Sequence, residues 1–259
     1  PTGSVLLEGL SEQLFGNTAL VSLMMVNNET GAINPISEII SGVKNKSKAL
    51  THTDAVQAFG KMPIDVKELG VDFLSLSAHK IHGPKGIGAL YIKSGTPWEP
   101  LLHGGAQERN RRGGTEPVAL AVGFAEAVKI LPARVDGVDH VGQLKKYLLN
   151  KLGEIPEIVL NSAADSSSSN FIVSFSFIPE VLARLDADAL IIRFDLEGIA
   201  ISNGSACTSG SLQPSHVLLA MGKSKEVAMK SVRVSFSRHN TMEDIDRLVL
   251  AVEKILNSL

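Results

Sequence analysis

A single cysteine in 259 residues, Cys207, rules out an intramolecular disulfide and any metal cage built from several thiolates. Aromatic residues are scarce too, at 5%, and no lysine and arginine tract interleaves with them. A surface that stacks bases and neutralises phosphates is therefore not expected. Charge of one sign is also missing, because 25 basic residues nearly offset 27 acidic ones and leave a net charge of −2. This balance reads as a neutral cytoplasmic protein with no nucleic-acid or membrane partner. Long hydrophobic runs are absent: the stretch from Leu20 to Val26 is far short of the roughly 20 residues a membrane-spanning helix needs, and it reads as a buried strand. The first residues, Pro1-Thr2-Gly3-Ser4, lack the basic-then-apolar order of a secretory signal. Spacings that suit a metal site or a Ser-His-Asp arrangement are absent as well.

An apolar fraction of 44% can fill a real core, and the length allows one large domain or two modest ones. Apolar strand candidates at Leu20–Val26, Val71–Ser77 and Ala89–Ile92 alternate with helical stretches, the first of which places Ile36, Ile39, Ile40 and Val43 on one face. Strands separated by helices predict a mostly parallel α/β sheet. In such sheets ligands bind just past the strand ends. Here those positions hold Asn28, Asp54, Ser77, His79 and Lys80. The pattern turns helical from Val118 to Leu131 and again from Val138 to Leu152. Short strands follow at Ile158–Leu160, Ile172–Ser176 and Val232–Phe236, and a last helix runs from Met242 to Leu256 with Thr241 as its N-cap. Ser166 to Ser169 read as a short polar linker. The expected organisation is residues 1–135 as one α/β domain and residues 136–259 as a smaller α+β domain.

Four residues could carry chemistry, and each has a plainer reading. Lys80 alone is an ordinary surface lysine, but a lysine that joins covalently to a cofactor needs a rigid, partly desolvated place such as the end of Phe73–Ser77. Asp54, 26 residues earlier, either caps a helix or pairs with a pyridine nitrogen. Arg233 on a strand is either a solvated outward residue or a two-pronged clamp for a carboxylate. Cys207 lies between Gly204-Ser205-Ala206 and Thr208-Ser209-Gly210. A free cysteine is usually a small buried hydrophobe, whereas this setting reads as an exposed loop and favours a chemical role. The glycines from Gly83 to Gly88 read as a tight turn, not a phosphate loop. The loop from His103 to Thr115, with three arginines, is either a flexible basic loop or a phosphate or subunit contact.

Five segments taken together resemble the cysteine desulfurases, class V members of the fold-type I enzymes that use pyridoxal 5'-phosphate (PLP). They are Val26–Gly31, His52–Gln57, Ser77–Lys80, His103–Thr115 and Gly204–Ser209, in the family's order and with similar spacing. The resemblance implies the fold-type I PLP-dependent transferase architecture, with residues 1–135 as the C-terminal part of the PLP-binding large domain and residues 136–259 as a small α+β domain carrying the nucleophile loop. It implies that Lys80 binds PLP covalently, that Asp54 faces the pyridine nitrogen, and that Gln57 and Asn28 lie near the phenolic oxygen. Ser77 and His79 would hold the phosphate, and Thr115 would reach the phosphate of a neighbouring subunit, hence a homodimer. Arg233, with Asn28, would bind the carboxylate of L-cysteine, and Cys207 would take the sulfur as a persulfide. The acceptor would be an iron–sulfur scaffold or a tRNA-thiolation protein.

One departure from the family pattern stands out. Its members carry a further N-terminal segment with a glycine- and threonine-containing phosphate loop and a histidine that stacks on the PLP ring. Neither is found here, and Pro1 corresponds to a point inside the large domain. The expectation is a truncation, a proteolytic product or one half of a split enzyme. Alternative readings are a selenocysteine lyase, a class V aminotransferase, and a non-catalytic fragment that needs an N-terminal partner.

Overall fold

The computed structural model describes residues 3–131, 139–203 and 213–259. Four short strands line up in chain order: β1 (Leu20–Met24), β2 (Leu50–Asp54), β3 (Phe73–Ser77) and β4 (Gly88–Ile92). The first three run parallel and β4 antiparallel. Parallel neighbours require a crossover, and helix Ile36–Lys46 supplies the one between β1 and β2. It buries Ile36, Ile39, Ile40 and Val43, the stripe its spacing predicts. A short helix, Val66–Leu69, lies between β2 and β3. The Asp65 side chain caps it by accepting from the N–H groups of Lys67 and Glu68, and Gly70, at φ 70°, ends it. Between β3 and β4 lie only the 3-10 turn Ala78–Ile81 and a glycine-rich turn, with no crossover helix, and β4 comes back antiparallel.

Asp72 ties the start of β3 to β2. Its carboxylate accepts from Thr51 N at 2.9 Å and from Thr51 Oγ1 at 2.8 Å, with Lys44 Nζ 3.5 Å away. Burial pushes this carboxyl up, but the Thr51 hydrogen bonds and Lys44 outweigh it and hold its pKa below the ordinary range.

A second sheet holds β5 (Ile158–Leu160), β6 (Ile172–Phe177), β7 (Ser202–Asn203) and β8 (Val232–Ser235) in the order β5-β6-β8-β7, antiparallel throughout. Every residue of β6 is buried. Phe175 and Phe177 pack edge to face, with ring centres 5.8 Å apart. Helices Asp139–Gly153 and Met242–Asn257 complete this core through Val141, Leu144, Leu148, Leu152, Leu248 and Val252. Thr241 caps the last helix by accepting from Asp244 N, and the Asp244 carboxylate accepts from Thr241 N. That backbone N–H, with help from Asn240, holds the Asp244 carboxyl below its usual pKa.

Chain contacts define two compact units. The parallel unit comprises Leu6–Met25 and Pro35–Val135, and the antiparallel unit comprises Pro1–Val5, Val26–Asn34 and Asp136–Leu259. The domain boundary expected at 135/136 lies outside the described residues. Segment Val26–Asn34, which the sequence reading places before that boundary, groups with the residues after it. Backbone bonds give the reason: Ser169 N donates to Gly31 O at 2.8 Å, and Ile33 N donates to Ser167 O at 2.9 Å.

The same bonds correct the reading of Ser166–Ser169 as a linker. Ser168 and Ser169 are buried, and Ser168 bridges to Ala32. The buried ammonium of Lys145 donates to the carbonyls of Ser168 and Ser169 at 3.1 and 3.2 Å. Four polar residues in a row look like a loop. Here their backbone is paired and their carbonyls are held by a cation, so burial leaves few groups unsatisfied.

Candidate active site

In the parallel unit the chemistry gathers past the C-terminal ends of β2 and β3. Asp54 is the last residue of β2, and its Oδ1 accepts from Val56 N at 2.8 Å, which turns the chain sharply after the strand. Ser77 ends β3 and leads into the 3-10 turn Ala78–Ile81, which carries His79 and Lys80. Ser77 Oγ lies 2.7 Å from His79 Nδ1. The turn is firmly seated. Gly83 N donates to Ala78 O at 2.9 Å, and a Cβ on Gly83 would sit 2.9 Å from that same oxygen, so glycine is required there. Helix Val118–Ile130 props the turn from behind: its one buried residue, Ala127, lies against Gly83, and Phe124 meets Phe59 edge to face at 6.4 Å.

Lys80 is half-buried on this rigid turn, and among the described residues its amine has no hydrogen-bond or ion-pair partner. Gln57 lies in the turn after Asp54 and accepts from Lys61 Nζ at 3.0 Å. Thr115 is exposed at the end of the His103–Thr115 loop. That loop is pinched at its base, where Gly113 N donates to Leu102 O at 2.9 Å and a Cβ on Gly113 would meet Gly104 N at 2.8 Å. Within it Glu108, Arg109 and Asn110 all have positive φ, of 48°, 58° and 64°. Each such residue costs on the order of 1 kcal/mol in this region.

Asn28 and Arg233 belong to the antiparallel unit. Asn28 sits in a turn ordered by the Asn27 side chain, which accepts from Glu29 N and Thr30 N, both at 2.9 Å. Arg233 projects from β8, and its Nη1 donates to Asn28 O at 3.0 Å. Its Nε is buried and has no hydrogen-bond partner among the described residues. An unsatisfied buried donor costs about 1–3 kcal/mol, so this guanidinium retains capacity for an incoming acceptor. Cys207 lies outside the described residues. Segment 204–212 joins Asn203, which pairs with Val232 beside Arg233, to the stretch containing Ser215. Ser215 Oγ donates to the buried Glu29 carboxylate, next in sequence to Asn28.

Two features escape the sequence reading. The Glu29–Ser215 pair links residues 186 apart in the chain, and no local signal announces it. His52 does carry a signal. It stands two residues before Asp54 on a strand, so both side chains leave the same face of the sheet. Among the described residues there is no cluster of His, Cys, Asp and Glu fit to hold a metal, and no helix is long and apolar enough to cross a membrane.

Polar side chains collected past parallel strand ends mark the class of α/β proteins in which ligands bind at the edge of the sheet. The comparisons give that class a family. The chain belongs to the class-V aminotransferases, whose family pattern matches residues 1–248. It is 42% identical to the cysteine desulfurase IscS of Methanosarcina thermophila, over 99% of this chain and 62% of that protein. It is 40% identical to the cysteine desulfurase IscS of Dictyoglomus turgidum, over 97% and 63%. Among solved structures, a NifS-like protein superimposes with a TM-score of 0.87 at 36% identity, covering 100% of this chain and 66% of that one. A NifS-like protein of Rickettsia africae gives 0.84 at 34% identity, covering 99% and 68%. The chain therefore spans about 63% of the length of the curated relatives it matches.

Enzymes of this family depend on PLP, and the residues in place suit it. The amine of Lys80 is unengaged among the described residues, Asp54 offers a carboxylate at the neighbouring strand end, and Ser77 and His79 supply hydrogen-bonding groups on the same turn.

Proposed function

We propose that this chain carries the C-terminal catalytic part of a cysteine desulfurase, which takes sulfur from L-cysteine as a persulfide on Cys207 and releases L-alanine. The observation that carries the reading is Lys80, half-buried on a rigid turn with no partner for its amine among the described residues, beside a strand that ends in Asp54. The cysteine desulfurase relatives and the lone Cys207 in a glycine- and serine-rich stretch select this chemistry over amino-group transfer.

Lys80 holds the cofactor and afterwards moves a proton at its Nζ. Asp54 keeps a proton on the pyridine nitrogen, Ser77 and His79 bind the phosphate, and Gln57 and Asn28 face the phenolic oxygen. Arg233 clamps the substrate carboxylate, using the capacity its Nε leaves open. Bound PLP supplies an electron sink that weakens the substrate's carbon–sulfur bond. The Cys207 thiolate attacks the substrate sulfur, and a sulfur–sulfur bond forms as the carbon–sulfur bond breaks. The electron pair left on carbon takes a proton, and alanine departs. Thr115 serves the phosphate of a second copy, which makes the working form a homodimer. Cys207 hands its sulfur to an acceptor protein, an iron–sulfur scaffold or a tRNA-thiolation protein, in the cytoplasm.

The test is a visible spectrum of the purified chain after PLP is added and the excess removed, followed by turnover with cysteine. Lys80→Ala should abolish the protein-bound band. Cys207→Ser should keep it and abolish persulfide, measured by mass spectrometry. Persulfide formed by Cys207→Ser would sink the nucleophile assignment. Faster alanine release from selenocysteine than from cysteine would move the reading to a selenocysteine lyase.

A further inference from the structure

Three side chains on one face of the parallel sheet are joined by hydrogen bonds. Ser22 Oγ lies 2.7 Å from His52 Nδ1, and His52 Nε2 lies 2.7 Å from Ser75 Oγ. The three residues come from β1, β2 and β3 in turn. Ser22 is the register partner of His52, but Ser75 is the register partner of Asp54. The chain of bonds therefore runs diagonally and ends in the row that holds Asp54. The backbone adds a further tie there, since Ala55 N donates to Ser75 O at 3.0 Å.

A neutral imidazole offers one donor and one acceptor, and two arrangements satisfy both bonds. In the first, the Ser22 hydroxyl donates to Nδ1 and Nε2–H donates to Ser75. The hydroxyl hydrogen of Ser75 is then available in the Asp54 row. In the second the polarity reverses, and the spare hydrogen sits on Ser22, which is exposed and has water for a partner. Burial favours the neutral ring and lowers the His52 pKa, with the charge of Asp54 opposing less strongly. A neutral ring between two hydroxyls is the state this geometry suits. None of the roles assigned above uses His52, Ser22 or Ser75.

We propose that His52 is a positioning residue for Asp54: by ordering Ser75 it sets the polarity of these bonds and holds the carboxylate in one orientation for the pyridine nitrogen of PLP. This rests on the assignment of Asp54 to that nitrogen. Removing the imidazole cuts the chain in the middle and leaves each hydroxyl to find its own partner. Removing Ser22 trims only the solvent end.

The experiment compares the full chain loaded with PLP in six forms: unsubstituted, His52→Ala, Ser75→Ala, Ser22→Ala, Asp54→Asn and the double variant His52→Ala with Asp54→Asn. The readouts are PLP dissociation and the position of the bound-cofactor absorption band, with thermal melts as a check on folding. His52→Ala and Ser75→Ala should each weaken PLP retention about tenfold, the order an outer hydrogen-bond partner commands. Both should move the band in the sense that Asp54→Asn moves it, and His52→Ala should add nothing in the Asp54→Asn background. Ser22→Ala should change affinity by less than about threefold. A purely structural role would move the melt and leave the band in place. If Asp54→Asn shifts the band and His52→Ala does not, the role given to His52 is overturned and that of Asp54 stands. If neither shifts it, both fall. Should His52→Ala lose its cooperative melt, the band position and PLP retention of Ser75→Ala decide between the same two outcomes.

Discussion

The two units treat their strands differently. In the antiparallel unit the central strand β6 is buried at every position and is packed by helices rich in leucine and valine. In the parallel unit no strand is buried along its length. Leu20 on β1 and Leu90 on β4 are half exposed, and of helix Val118–Ile130 only Ala127 is buried. Parallel sheets are usually covered on both faces, and this unit belongs to a chain that spans about 63% of the length of its curated relatives. It holds polar residues at its strand ends and along Ser22, His52 and Ser75, where the other unit packs its central strand against two helices. One region gains stability from close packing. The other leaves the Lys80 amine without a partner among the described residues.

Substitutions in each unit sharpen that contrast. Phe175→Ala, in the middle of β6, should cost about 3–5 kcal/mol, read by denaturant unfolding. Val122→Ala on the exposed helix face should stay within about 0.5 kcal/mol. Equal losses would abolish the distinction. In the parallel unit the expected weak point is polar: Asp72→Ala strands Thr51 N and should cost about 1–3 kcal/mol. The last helix should show an effect that depends on pH. The Asp244 carboxyl has a lowered pKa when folded, so the stability it adds is fully present above its ordinary value of 3.8. That stability is lost as pH falls through the folded value. Unfolding of Asp244→Asn should therefore differ from that of the parent chain at neutral pH and converge with it in acid.

Much of the fold is legible in the sequence because it follows from local pattern. The stripe Ile36, Ile39, Ile40 and Val43 marks its helix, Thr241 with Asp244 marks a cap, and the apolar runs mark their strands. The strand-end residues Asp54, Ser77, His79 and Lys80 are legible for the same reason, since a strand followed by a polar turn marks a sheet edge. Ser166–Ser169 misleads because polarity alone cannot reveal that Lys145 and the turn around Gly31 pair its backbone. Helix Val118–Ile130 is recognisable as a helix, but its apolar residues give no hint that most face outward.

By itself, then, the amino-acid order determined the class of sheet, the helix ends, the family, and which side chains could carry chemistry, because each depends on spacing within a few residues or on motif order. Only the tertiary structure decided that Val26–Asn34 folds with residues more than a hundred positions later, that Arg233 grips the carbonyl of Asn28, and that His52 stands between Ser22 and Ser75. Those contacts join residues far apart in the chain, and it is backbone register and burial that bring them together.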